Sequence, residues 1–273
     1  MNDFIKNTVR ITTFDSYDTI CRNHIYNADI ALMKLKDIKP YHLQPYLNGK
    51  SYLSKSSIKK IYLLLNMFFD GAVKNDLIIK NPLTAINIPR STKETKEIEI
   101  LTLDQQKSYI QSTTSTSYRG LLLTALFTGM RLGEILALTW DNVDLKNMQI
   151  KIDSSLKETR IHENGKTEWV TIKQPPKTKS GKRTVPISKI LLKILLDHKN
   201  HQNELSLKFG RNEFNKNNYV FCSDTGTPLN ARNAQRAHYQ TCTRAEIPHV
   251  GFHALRHTFA TLSLIHISEP TRL

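Results

Sequence analysis

Three short segments hold residues whose types and spacing suit chemistry on a phosphate. In Thr128-Gly129-Met130-Arg131-Leu132-Gly133-Glu134, a turn glycine is followed by an arginine at the start of a helix. A guanidinium there offers a planar fork of donors, beside backbone N–H groups that the first helical turn leaves unpaired, to an anion such as a phosphate. Glu134, one turn on, is placed to hold Arg131, although the same spacing also suits a plain surface ion pair after a helix-ending glycine. In His253-Ala254-Leu255-Arg256-His257, an imidazole and a guanidinium fall one turn apart on one helix face and can converge on one anion. His253 and His257 also have the spacing of a metal pair, but no acidic residue lies between them and no third ligand is evident. No metal and no cofactor is therefore expected, and His257 reads as a structural, hydrogen-bonded residue. The third segment, Pro175-Pro176-Lys177-Thr178-Lys179-Ser180, is a lysine-rich turn that by itself implies only solubility.

The elements that must position these groups follow from periodicity. From Phe14 to about Ala72 apolar residues recur at helical spacing, as in Ile58, Ile61, Tyr62, Leu65 and Phe68-Phe69, which predicts a small helical bundle. Ser54 or Ser56 can cap its second long helix. The polar, aperiodic run from Pro89 to Glu99 marks an exposed linker, placing a helical domain over 1–92, the linker over 93–101 and a second domain over 102–261. Thr102-x-x-Gln105 is a capping box that opens this second domain. Helices are expected from Tyr118 to Phe127 and from Arg131 to about Leu138. Strands are expected over Met148 to Ile152, Trp169 to Ile172 and Arg183 to Ile187, and helices again over Ile190 to Leu205, Ala231 to Arg244 and His253 to Thr261. The fold class is mainly α with a small antiparallel β-sheet (α+β).

Composition narrows the partner. The 273 residues carry 39 Lys and Arg against 24 Asp and Glu, a net charge of +15, which favours a polyanion. No stretch is long and apolar enough to span a membrane, and the N-terminus lacks the order of a signal peptide, so a cytosolic protein working on nucleic acid is expected. Cys21, Cys222 and Cys242 are an odd number at unrelated spacings and read as reduced thiols.

The Thr128–Glu134 segment resembles the first signature box of the tyrosine recombinases, Thr-Gly-x-Arg-x-x-Glu, and His253–Thr261 matches the second, His-x-Leu-Arg-His-x-x-x-Thr. Between them Gln174–Pro186 is similar to the Pro-Lys-Thr-Lys-Ser hairpin of transposon-type integrases, so box, lysine hairpin and box stand in the family order. The chain as a whole resembles a phage-type or conjugative-transposon-like integrase. That resemblance implies a SAM-like core-binding domain, ending in Asn81-Pro82-Leu83 and Ile88-Pro89-Arg90, followed by a catalytic domain. It also implies that the two clamp double-stranded DNA at attachment sites in a prokaryotic cytosol, as a tetramer in the complete enzyme. The implied chemistry is metal-free phosphoryl transfer through a 3′-phosphotyrosyl link. Arg131 and Arg256 would donate to the non-bridging oxygens, Lys177 (or its competitor Lys179) would protonate the leaving 5′ oxygen, and His253 would manage the phenol proton, with Glu134 and His257 in support. Lys50, Lys55, Lys59 and Lys60 of the helical domain would then lie against DNA phosphates.

Past the second box the family continues to a phosphate-binding histidine or tryptophan and then to the nucleophilic tyrosine; Leu262 to Arg272 does not resemble that segment. It is similar instead to one reading frame of the transposase end and adapter added to DNA during sequencing-library preparation. Residues 262–273 are therefore expected to be translated adapter rather than native sequence, with a natural frameshifted tail as the alternative. His266 is not expected to replace the missing histidine, and the truncated fragment is expected to bind DNA without cutting it. Two other readings stay open: a non-catalytic DNA-binding regulator or decoy, and a relative of type IB topoisomerases.

Overall fold

The computed structural model describes residues 8–94, 99–163, 166–176, 181–210 and 213–268. The chain forms two compact units, Met1–Glu97 with Thr159–Val170, and Ile98–Glu158 with Thr171–Leu273.

In the first unit, α1 (Ile11–Ile20) runs into a π turn at Cys21–Ile25 and is followed by α2 (Asp29–Leu32), α3 (Pro40–Asn48) and α4 (Lys55–Lys74). Ser54 is the residue that caps α4, its hydroxyl accepting from the Ser57 N–H at 3.2 Å. Leu43 and Leu47 of α3 meet Ile61, Leu65 and Phe69 of α4, spaced so that one face is buried, with Ile30, Leu83 and Ile86 closing this core. Lys55, Lys59 and Lys60 are exposed on α4, while Lys50 is half-buried with its ammonium over the Tyr46 ring. Asp15 of α1 accepts from the Arg160 side chain at 2.8 Å, the Arg160 N–H at 3.2 Å and the Thr159 hydroxyl at 3.1 Å. Burial opposes ionisation of Asp15, but these bonds outweigh it and hold the carboxyl below its ordinary value.

In the second unit the capping box forms as read: Thr102 accepts from the Gln105 N–H, and Gln105 from the Thr102 N–H, opening α5 (Leu103–Ser112). Then come α6 (Arg119–Thr128), buried almost throughout, and α7 (Leu132–Leu136). Strands β1 (Val143–Asp144) and β2 (Gln149–Ile152) precede the pair β3 (Ser155–Glu163) and β4 (Lys166–Gln174), and β5 (Arg183–Pro186) follows. The sheet order is β1-β2-β5, antiparallel, with Ile150 opposite both Val143 and Val185; β3 and β4 make a separate two-stranded sheet whose segment Thr159–Val170 groups with the first unit. Helices α8 (Lys189–Phe209), α9 (Ala231–Arg244) and α10 (His253–Ser268) complete the chain. No helix among the described residues is long and apolar enough to cross a membrane.

The mainly helical fold with small antiparallel sheets is as expected, and three details differ. The strand containing Trp169 pairs with β3, a polar strand without a strong β signal, rather than joining the Met148–Ile152 strand. Helix α7 stops at Leu136 rather than Leu138, because the Leu138 carbonyl accepts from the Val220 N–H at 2.8 Å instead of continuing the helix. Helix α10 passes Thr261 and reaches Ser268, since no glycine or proline interrupts it before Pro270.

Helix α10 packs on α6, and its buried Thr258 hydroxyl accepts from the equally buried Leu101 N–H at 3.0 Å. Thr258→Val keeps the shape but leaves that donor unpaired away from water, so it should destabilise the protein by about 1–3 kcal/mol, read from urea denaturation. A midpoint equal to wild type would show that the bond contributes nothing.

Candidate active site

Glu134, on the short helix α7, is 5% exposed and accepts four hydrogen bonds. Two come from Arg131, whose backbone N–H donates to Oε2 at 2.9 Å and whose Nη1 donates to Oε1 at 2.8 Å. Two come from Arg183 at the start of β5, with Nη2 to Oε2 at 2.8 Å and Nη1 to Oε1 at 3.1 Å. Burial alone would push the Glu134 carboxyl up. The bonds from Arg183 and Arg131 outweigh it and hold it below the ordinary glutamate value, so it is an anion at neutral pH. Gly133, beside it, lets α7 approach β3: a Cβ there would meet the Leu156 carbonyl at 2.7 Å.

Gly129 ends α6 in the left-handed conformation, φ +60°, where its N–H still reaches the Ala125 carbonyl. Its own carbonyl accepts a hydrogen bond from Arg256 Nη1. His253 lies one turn before Arg256 on α10, and its ring meets His257 edge-on at 4.9 Å. Burial, then the neighbouring His257, Arg256 and Arg131, depress the His253 pKa, so it is a neutral imidazole at pH 7 and able to accept a proton. Burial, then Arg131 and Arg183, also press Arg256 downward, a sign of positive charge crowded at one place. The approach to α10 is fixed by His238, wholly buried, whose Nε2 lies 2.9 Å from the Val250 carbonyl and whose Nδ1 lies 2.8 Å from the Tyr109 hydroxyl. A carbonyl at Nε2 requires the proton there, so Nδ1 accepts from Tyr109.

The structure thus gathers Arg131, Glu134, His253, Arg256 and His257. Lys177 and Lys179 lie outside the described residues. Lys50, Lys55, Lys59 and Lys60 belong to the other unit. Among the described residues no group of three His, Cys, Asp or Glu side chains is placed to hold a metal. Sequence reading missed Arg183, which appeared only as the polar start of a strand. The available signal was that a buried carboxylate three residues from an arginine needs more donors than one neighbour supplies.

Two family models match the chain: the phage integrase family over residues 93–266, and the phage integrase N-terminal SAM-like domain over residues 2–51. A tyrosine recombinase XerC-like protein of Caldanaerobacter subterraneus is 36% identical over 258 residues, covering 91% of this chain and 66% of that protein. A prophage ps2 probable integrase of Lactococcus lactis is 29% identical over 238 residues, 83% of this chain and 60% of that protein. The chain therefore spans about two thirds or less of the length of these relatives. Among solved structures, the Tn1549 transposon integrase in complex with transposon right end DNA superposes with a TM-score of 0.74 at 19% identity, covering 98% of this chain and 85% of that one, a likeness of fold.

Because Glu134 neutralises part of a three-arginine cluster, Glu134→Gln should cost about 2 kcal/mol, discounting for the half-exposed Arg131. The sign with pH follows from the lowered carboxyl. Its contribution is full above the ordinary glutamate value of about 4.3 and is lost as pH falls through the lower folded value. Urea midpoints measured against pH should converge for wild type and Glu134→Gln in that acid window. A gap that persists unchanged below it would contradict the ion-pair account.

Proposed function

The chain belongs to the phage integrase family, and from that premise we propose that it is the DNA-holding part, with most of the active site, of a site-specific DNA recombinase acting through a 3′-phosphotyrosyl intermediate. The observation that carries this reading is the convergence of Arg131 and Arg256 with the neutral His253 beside one buried carboxylate. Arg131 is half exposed and binds Glu134 through a single guanidinium nitrogen, so an incoming phosphate could reach it. The two guanidiniums would stabilise negative charge growing on the non-bridging oxygens of a scissile phosphate, work done by a metal ion in other phosphoryl-transfer enzymes. His253, uncharged, would take up the proton of an attacking phenol, and Lys177, with Lys179 as competitor, would give one to the departing 5′ oxygen. Glu134 orients Arg131, and His257 packs against His253.

Double-stranded DNA at attachment sites is the partner on this reading, with tetramer formation on DNA for the whole enzyme. Lys50, Lys55, Lys59 and Lys60 would contact backbone phosphates, which fix position without reading sequence. The domains follow the same division: a SAM-like core-binding domain over 1–92, a linker over 93–101, a catalytic domain over 102–261, and an adapter-derived 262–273. None of the ten tyrosines follows the second box. Several have other duties, such as Tyr109 bonded to His238 and Tyr62 to the Leu83 carbonyl. Residues 1–273 by themselves would therefore bind DNA without cleaving it.

Binding to a duplex carrying a family-type core site should weaken at least ~100-fold between about 50 and about 200 mM salt, because neutralised phosphates release their counterions. Arg131→Ala should lose less than ~10-fold, one phosphate contact among many. Affinity that ignores salt would sink the DNA-binding reading. A nicked suicide duplex should yield no covalent adduct on a denaturing gel with residues 1–273. It should yield one once residues after 261 are replaced by a relative's C-terminal segment bearing the tyrosine; an adduct without that replacement would refute the inactivity.

A further inference from the structure

Arg183 and Arg131 hold the same carboxylate in different ways. Both terminal nitrogens of Arg183 span the two oxygens of Glu134, whereas Arg131 uses a single terminal nitrogen together with its backbone N–H. A carboxylate has about four acceptor positions, and in Glu134 all are filled. The two arginines also differ in exposure: the Arg183 side chain is 26% exposed, the Arg131 side chain 54%. The backbone of Arg183 is set by the sheet, where it stands opposite Ile152 at the end of the β2–β5 ladder, so its placement comes from an element other than α7.

Removing Arg183 would empty two acceptor positions in a site nearly closed to water. An unpaired buried acceptor is costly, and the donors nearest to it are the remaining N–H groups of Arg131. The guanidinium would then turn from its open position to a bidentate pair with Glu134, the stronger geometry for such a pair. We propose that Arg183 is a positioning residue for this site: by saturating Glu134 it holds Arg131 at one nitrogen and keeps the rest of that guanidinium free for a phosphate. The proposal rests on the reading of Arg131 as a phosphate ligand. Arg183 itself touches no substrate in this account and acts only through Glu134.

The test compares wild type, Arg183→Gln and Arg183→Lys as full 273-residue chains with isotope-labelled arginine, following the Arg131 guanidinium by NMR. In wild type its N–H protons should exchange readily with solvent, and its signals should shift on addition of inorganic phosphate or of a short DNA duplex. In Arg183→Gln exchange should slow as the bidentate pair closes, and the inorganic phosphate concentration needed for half the shift should rise about tenfold, the size of one charge-assisted hydrogen bond, while the duplex concentration rises less because the other phosphate contacts remain. Arg183→Lys keeps the charge but donates from one point, so it should fall between the two; it also decides the matter if the glutamine variant does not fold. A merely structural Arg183 would lower the unfolding midpoint and leave Arg131 exchange and the phosphate response as in wild type, which would overturn the proposal. If the wild-type Arg131 signals ignore both phosphate and duplex, the phosphate-ligand reading fails and the proposal with it. If wild type responds and the variants respond equally, the proposal alone fails.

Discussion

Like charges crowd one end of the second unit, and a single buried carboxylate keeps them there. Arg131, Arg183 and Arg256 lie close enough that the first two depress the ionisation of the third, yet Glu134 sits among them with every acceptor position used. This arrangement dictates much around it. Arg131 must cap helix α7 so that the backbone N–H there can reach the carboxylate, β5 must bring Arg183 within hydrogen-bond distance, and Gly133 must be small for α7 to lie on β3. A cluster with net positive charge, partly shielded from water, is a state that an anion would relieve.

Local signals were the ones legible in the chain. The Ser54 cap, the Thr102–Gln105 capping box and the bounds of α9 were readable because each depends on residues within a few positions of one another. The same holds for the two arginine-bearing segments, whose internal spacing fixes which side chains share a face. Arg183 was not legible, because its partner lies 49 residues earlier and the two meet only through tertiary structure. Strand β3 was missed for a related reason: its residues are largely polar, and its pairing with β4 is decided by tertiary structure rather than by its own propensity. The end of α10 went the other way. It runs past the expected Thr261 because no glycine or proline stands between that residue and Pro270.

The first unit shows the same division of labour between pattern and placement. Its core follows directly from the apolar faces of α3 and α4, and its lysines from the opposite face. The Asp15 carboxylate, by contrast, is satisfied by Thr159 and Arg160, some 140 residues away along the chain and reachable only because the hairpin segment Thr159–Val170 belongs to this unit. A small helical domain with a distant hairpin added to it gains polar anchoring without a larger apolar core.

Gly129 meets three demands at once: a left-handed backbone to end α6, room for the Phe259 ring, which an added Cβ would approach to 2.5 Å, and a carbonyl aimed at Arg256. Substitutions at Gly129, Phe259 and Arg256 should therefore be strongly epistatic, since each alters the surroundings in which the others are judged. A smaller residue in place of Phe259 would make room for a side chain at 129 without removing the backbone strain there. Sequence drift at these three positions would then proceed by linked steps or not at all.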